Sequence, residues 1–132
     1  MFNLLQINVN RSPRAQDLAQ ATACARGADF IVISEPDLKV TKRRDAYCNK
    51  NVCACIVNVS KKFSVYKCGG GRCFAWILTN GCFIYSVYIS PNCKFEEFIS
   101  HLDALKDEIT KNGGKSIVTG DFNAKNTYWG GR

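Results

Sequence analysis

Twice along this chain a stretch with helical apolar spacing hands over to a short apolar run that closes on a carboxylate. Ser12 offers an N-cap and Pro13 a first-turn proline for a helix running to about Arg26, with Gly27 as its stop. Leu18, Ala21, Thr22 and Ala25 share one face of it at helical spacing, which predicts that this face is covered. Asp29–Ser34 follows as a continuous apolar run, the pattern of a strand buried on both faces, and Glu35 ends it. In the second hand-over, Phe95, Phe98, Ile99, Leu102, Leu105 and Ile109 line one side of an amphipathic helix over Phe95–Lys111. Gly113-Gly114 stops that helix, and a strand over Ser116–Thr119 leads into Gly120-Asp121.

The rest of the chain reads as strands. Phe2–Asn8 forms the first, with Leu4, Leu5, Ile7 and Val9 as its apolar contacts. The polar, basic segment Glu35–Lys50 predicts a loop. Strands are expected over Val52–Val59, Phe63–Lys67, Cys73–Thr79 and Cys82–Ile89, with Gly69-Gly-Gly71 and Asn80-Gly81 between the later ones. Asn-Gly is a strong two-residue hairpin signal. The order β-α-β, a block of antiparallel strands, then α-β predicts an α/β (α+β) layered sandwich with helices on the sheet faces. With no repeat and no low-complexity linker, residues 1–132 read as a single unit.

Composition narrows the partners. At 46% hydrophobic and 22% charged, the chain is built to bury a core. Eighteen Lys+Arg against eleven Asp+Glu give a net charge of +7, which favours an anionic partner, nucleic acid or an anionic lipid surface. Lys39, Lys42, Arg43 and Arg44 crowd one segment and Lys61–Lys62 form a second pair. No run approaches a membrane span, and Met1–Asn10 lacks the pattern of a secretory leader. Eight cysteines could mean disulfides or zinc, but there is no CxxC pair and His101 is the sole histidine. Reduced thiols acting as small hydrophobes, in an intracellular protein, are the favoured reading.

Polar groups collect at strand ends, where layered α/β folds gather their sites. Asn8 and Asn10 close the first strand, Glu35 the second, Tyr88 lies near the end of the hairpin strand, and Asp121 and Asn123 follow the last. Each alone has an ordinary explanation as a turn or sheet residue. Together they have a chemical logic. Phosphodiester cleavage needs a hard cation, an activated water and neutral donors for the developing charge. One or two carboxylates plus waters suit Mg²⁺, and asparagine and tyrosine donate without repelling phosphate.

Four segments carry a resemblance: Gln6-Ile-Asn8-Val-Asn10, Ile33-Ser-Glu35-Pro36, Val87-Tyr88-Ile-Ser-Pro91 and Gly120-Asp-Phe-Asn123-Ala-Lys125. In order and phrasing they resemble the endonuclease/exonuclease/phosphatase superfamily, in particular the apurinic-like endonuclease domains of non-LTR retrotransposons. The resemblance implies a DNase I-like fold and Mg²⁺-dependent (or Mn²⁺-dependent) nicking of DNA that primes reverse transcription. It implies Glu35 as principal metal ligand with Asn10 in the neighbouring position, and Asn8 as the first-strand active-site asparagine. It gives Tyr88 a contact to the scissile phosphate, Asp121 the water, and Asn123 the transition state. Lys39, Lys42, Arg43 and Arg44 are the candidate DNA contacts, with reverse transcriptase as a companion and a nuclear location. A non-catalytic DNA-binding remnant and a phosphodiesterase for another substrate are the alternatives. The superfamily's terminal Ser-Asp-His has no counterpart, since His101 follows Ser100 inside the helical stretch and reads as a surface residue. The expectation is therefore an N-terminal portion, inactive alone and of marginal stability. Much of its second sheet would be lacking, with an apolar sheet face and a bare strand edge exposed.

Overall fold

The computed structural model describes residues 2–123; Met1 and residues 124–132, with the Ala124-Lys125 end of the last motif and Trp129, lie outside the described residues. The chain runs β1 (Leu4–Asn8), α1 (Pro13–Arg26), β2 (Phe30–Ser34), a 3-10 turn (Leu38–Lys42), β3 (Ala46–Cys48) and β4 (Ala54–Asn58). It continues with β5 (Val65–Gly70), β6 (Phe74–Thr79), β7 (Cys82–Tyr88), α2 (Phe95–Asn112) and β8 (Lys115–Asp121). The first sheet has the order β1-β2-β4-β3 and the second β5-β6-β7-β8. Both parallel pairs, β1 with β2 and β7 with β8, are joined through a helix; the remaining pairs are antiparallel.

Strand parity builds the layers. Phe30 and Val32 of β2 and Ile56 of β4 point inward to meet Ile77 of β6 and Ile84 of β7, which closes the two sheets face to face. The alternate residues Ile31, Ile33, Cys55 and Val57 turn outward and are covered by Ala19 and Ala23 of α1. On the far side Phe74, Trp76, Tyr85 and Val87 are covered by Phe98 and Leu105 of α2. Two polar contacts register α2: Trp76 Nε1 donates to Glu108 Oε2 at 2.8 Å, and Asn112 Nδ2 to the Tyr85 hydroxyl at 2.9 Å. The result is the expected layered sandwich, α/β/β/α.

Three local expectations change. Helix α1 packs through Gln16, Ala19 and Ala23, while Leu18 is 68% exposed. Small residues let the helix lie close on the sheet, so packing distance decided the face and the apolar spacing did not. The segment expected to be a loop contains β3, because Ala46–Cys48 finds the free edge of β4. Strand β5 runs into the glycines as far as Gly70, and a side chain at Gly69 would sit 2.5 Å from the Trp76 ring. Both sheets carry four strands. The bare edge anticipated on the second is β8, which among the described residues pairs with β7 alone and leaves Val118 39% exposed.

Ala23 is fully buried. Ala23→Leu is expected to cost about 1–3 kcal/mol by overpacking the helix against the sheet, whereas Leu18→Ala should stay within about 0.5 kcal/mol of the parent. Urea midpoints measure both; an equal loss in the two variants would reverse the assignment of the helix face.

Candidate active site

The carboxyl ends of β1, β2, β7 and β8 meet at one end of the sandwich. Asn8 ends β1, and its Oδ1 accepts the backbone N–H of Asn10 at 2.8 Å, which fixes the orientation of the amide. Its Nδ2 then donates to two carboxylates, Glu35 Oε1 and Asp121 Oδ2, each at 3.1 Å. The second of these bonds spans from one sheet to the other. Tyr88 completes the group, its hydroxyl lying close to the Glu35 and Ser90 side chains. Burial first, then the Glu35 and Asp121 charges, push its phenol above the usual value. It therefore stays a protonated donor at neutral pH.

The backbone holds these groups in unusual conformations. Glu35 has φ 49°, in the left-handed region, with its N–H on the Cys53 carbonyl at 2.9 Å and its own carbonyl accepting from Arg11 N–H at 2.7 Å. Asn10 and Asn123 lie in the same region, at φ 50° each. For a glutamate this costs about 1–2 kcal/mol, sustained here by bonds on both sides of the peptide. Gly120, at φ 148°, lets β8 press against β7, since a Cβ there would lie 2.0 Å from the Val87 carbonyl oxygen. The glycine before Asp121 thus sets how close that carboxylate comes.

Of the residues singled out from the sequence, Asn8, Glu35, Tyr88 and Asp121 are brought together directly. Asn10 contributes through its backbone, and its residue is exposed. Asn123 turns its amide to the Ile89 carbonyl at 2.7 Å and ties the exits of β7 and β8. The basic segment is divided. Lys39, Lys42 and Arg44 are exposed, but Arg43 is paired with Asp45 at 2.7 Å and donates to Gln20 at 3.2 Å. The hydrogen bond from Arg43, reinforced by Lys61 at 3.0 Å, holds the Asp45 carboxyl down at about 2. Arg43 is thereby a structural cation.

The sequence reading missed what lies beside Tyr88. Asn51, Cys53, Arg72, Cys73, Ser90 and His101 wall a cleft of about 180 Å³ with it. Asn51 and Arg72 also belong to a broader groove of about 900 Å³ between the β3–β4 and β5–β6 turns, where Lys50 is a second cation and no acid lines the wall among the described residues. Buried Asn49 joins the two turns: Oδ1 accepts from Cys53 and Ala54, and Nδ2 donates to the Gly71 and Arg72 carbonyls. The Arg72 backbone is thus anchored while its residue is exposed. His101, expected on the helix surface, is half-buried and faces this cleft from α2. Asn49 carried a signal only in hindsight, as an Asn opening a polar turn.

The donor set fits a hard divalent cation. Two carboxylates share one amide, and the ion pairs among the described residues are both made by Asp45, so neither Glu35 nor Asp121 is ion-paired among the described residues. Among the described residues no group of three or more His, Cys, Asp or Glu clusters tightly enough to wrap an ion. A pair of carboxylates suits Mg²⁺, which retains waters and takes one or two carboxylates.

The family described as Endonuclease-reverse transcriptase matches residues 82–132. The endonuclease domain of TRAS1, a telomere-specific non-LTR retrotransposon, superposes with a TM-score of 0.73 at 24% identity, over 98% of this chain and 63% of that one. TDP2 from C. elegans gives 0.62 at 16% identity over 94% of this chain and 48% of that one. A humanized D. rerio TDP2 gives 0.60 at 13% identity, over 97% and 66%. No curated protein matches. The chain spans less than two thirds of the TRAS1 domain. The fold is that of DNase I-like endonuclease domains, and the family match takes in two of the four segments, those with Tyr88 and Asp121. No described helix is long and apolar enough to cross a membrane.

Gly120→Ala is expected to push β8 away from β7 and destabilise the fold by about 2 kcal/mol or more. A thermal unfolding midpoint equal to that of the parent would show that the close approach is not required.

Proposed function

We propose that this chain carries the metal-binding and phosphate-contacting groups of a DNA-nicking phosphodiesterase of the retrotransposon endonuclease type. The observation that carries the reading is the pair Glu35–Asp121, bridged by Asn8 and in no ion pair among the described residues, beside Tyr88, which lines a cleft with Arg72. Glu35, with Asp121 close by, would hold Mg²⁺ or Mn²⁺, which when bound would supply Lewis-acid polarisation of a nonbridging phosphate oxygen and a more acidic water. The Tyr88 hydroxyl donates to the phosphate. Asp121, with Oδ2 held by Asn8, has accepting capacity at Oδ1 for a proton from the attacking water. Asn8 keeps the two carboxylates at a fixed separation throughout. Asn10 and Asn123 serve this arrangement, Asn10 by aiming the Asn8 amide and Asn123 by pinning the strand exits.

The superfamily's closing Ser-Asp-His is not matched anywhere in the sequence, so the proposal includes weak or no turnover by these residues alone. DNA is the partner. Reverse transcription as the downstream use, and hence a nuclear setting, follow from the retrotransposon reading. The groove beside Tyr88 is the path we assign to a DNA strand, with Arg72 and Lys50 as its phosphate contacts; exposed Lys39, Lys42 and Arg44 add general attraction.

Mn²⁺ binding, followed by its paramagnetic resonance signal, and Mg²⁺-dependent nicking of supercoiled plasmid test the site together. The parent is expected to bind Mn²⁺, with affinity reduced roughly tenfold or more in Glu35→Gln and Asp121→Asn, and EDTA abolishes any nicking. Mn²⁺ binding unchanged in both variants sinks the metal assignment. Plasmid nicking at an undiminished rate in both variants sinks the catalytic one.

Arg72→Ala should weaken binding of a DNA oligonucleotide measured by fluorescence anisotropy, and lower the slope of log affinity against log salt by about 1. An unchanged slope would remove Arg72 from the DNA path.

A further inference from the structure

The short edge strand β3 has a chemical partner in β4. Cys48 and Cys55 are paired in register, and their sulfurs are 3.3 Å apart. The ladder on either side places them: Asn58 N–H bonds the Asp45 carbonyl at 2.8 Å, and Asn49 N–H bonds the Ala54 carbonyl at 3.2 Å. Bonded pairs alternate along an antiparallel ladder, so 45/58 and 49/54 are bonded pairs and 48/55 is a non-bonded one. Non-bonded pairs bring their Cα atoms to about 4.5 Å, inside the range of about 4.4–6.8 Å that a disulfide spans.

The two thiols differ in the way a sequential reaction requires. Cys48 is half-exposed and lines the groove of about 900 Å³, open to a small solute, while Cys55 is fully buried behind it. We propose that Cys48 and Cys55 form a reversible two-electron thiol–disulfide pair, with Cys48 attacking a small peroxide and Cys55 resolving it. The Cys48 sulfur attacks one peroxide oxygen, so an S–O bond forms, the O–O bond breaks and water leaves with the thiol proton. The Cys55 sulfur then attacks the sulfenic sulfur. The S–S bond forms, the S–O bond breaks, and the hydroxyl leaves as water with the second thiol proton. Two thiols are oxidised by two electrons and one peroxide is reduced to two waters. A dithiol returns the pair to its reduced state by exchange.

The remaining cysteines set the pair apart. Its hydrogen bond with Cys55 draws the Cys48 thiol below its ordinary value. Cys53, Cys73, Cys82 and Cys93 are all pushed upward, chiefly by burial, Cys73 to about 11. Cys24 and Cys68 are exposed and free. The bond would close the turn that holds Asn49 and Cys53, and the Cys53 carbonyl receives the Glu35 N–H. The redox state of the pair therefore bears on the groove wall and on the peptide that presents Glu35, whatever reaction the site performs.

The test treats the full chain with stoichiometric hydrogen peroxide, alkylates the remaining thiols and maps tryptic peptides by tandem mass spectrometry. Trypsin cuts after Arg44, Lys50 and Lys61, so the expected product links peptides 45–50 and 51–61 through Cys48 and Cys55, with the mass of two hydrogens lost and restored by dithiothreitol. In Cys55→Ser, Cys48 should accumulate as a sulfenic acid captured by dimedone. Serine is nearly isosteric, and circular dichroism checks the fold. Recovery of Cys48 and Cys55 separately alkylated, after peroxide has already oxidised Cys24 or Cys68, overturns the proposal. So does a link from Cys48 to Cys53 in place of Cys55.

Discussion

The arrangement rests on how closely the two sheets approach each other at one end. Along most of the interlayer, large residues hold them apart: Phe30, Val32 and Ile56 against Ile77 and Ile84. Toward the carboxyl ends of β2 and β7 these give way to Ser34, Ala54, Ala75 and Ser86, all fully or almost fully buried. Ser34 Oγ donates to the Val87 carbonyl at 3.4 Å and Ser86 Oγ to the Ile33 carbonyl at 3.5 Å, each bond crossing between the sheets. A serine hydroxyl is short. Its reach to the opposite main chain means the backbones stand nearer here than the roughly 10 Å usual for packed sheets. Only at that separation can an asparagine on β1 touch an aspartate on β8.

That taper also explains what the sequence discloses. The strand ends carrying Asn8, Glu35, Tyr88 and Asp121 were legible because each follows an apolar run whose period is unmistakable, and because the residues recur in a known order. Their convergence was legible only through the resemblance. No local pattern states that β1 and β8 border the same side of the sandwich. The losses have particular causes. Strand β3 has three residues in a basic stretch, and what makes it a strand is the free edge of β4, a tertiary fact. The face of α1 was misplaced because alanines carry little hydrophobic signal yet allow the closest packing. Arg43 counts as one more positive charge until the folded chain sets Asp45 beside it. Asn49 and Arg72 lie in separate turns 23 residues apart and acquire meaning only when their carbonyl–amide bond joins them.

Two pairs of carboxylates, Asp29 with Asp45 and Glu35 with Asp121, are treated differently by the fold, and the contrast bears on the site independently of any relative. Asp45 has two cations against it, and Asp29 accepts the Asn3 N–H and the Ser60 hydroxyl at 2.8 Å each. Both are held below the usual carboxylate range by the donors that face them. These are structural acids, whose charge is answered within the fold. Glu35 and Asp121 divide the two hydrogens of a single amide in a chain of net charge +7. With eighteen Lys and Arg to draw on, a fold that needed only to neutralise these two acids had ample means. Instead it holds a glutamate in a left-handed conformation, brings a second acid toward it across a tightened interlayer, and orients the shared amide with the Asn10 backbone. Strain and uncompensated like charge both oppose folding, so the other interactions of the sandwich must outweigh them. On the proposed reading, a cation bound at the pair would relieve that repulsion and return stability to the fold.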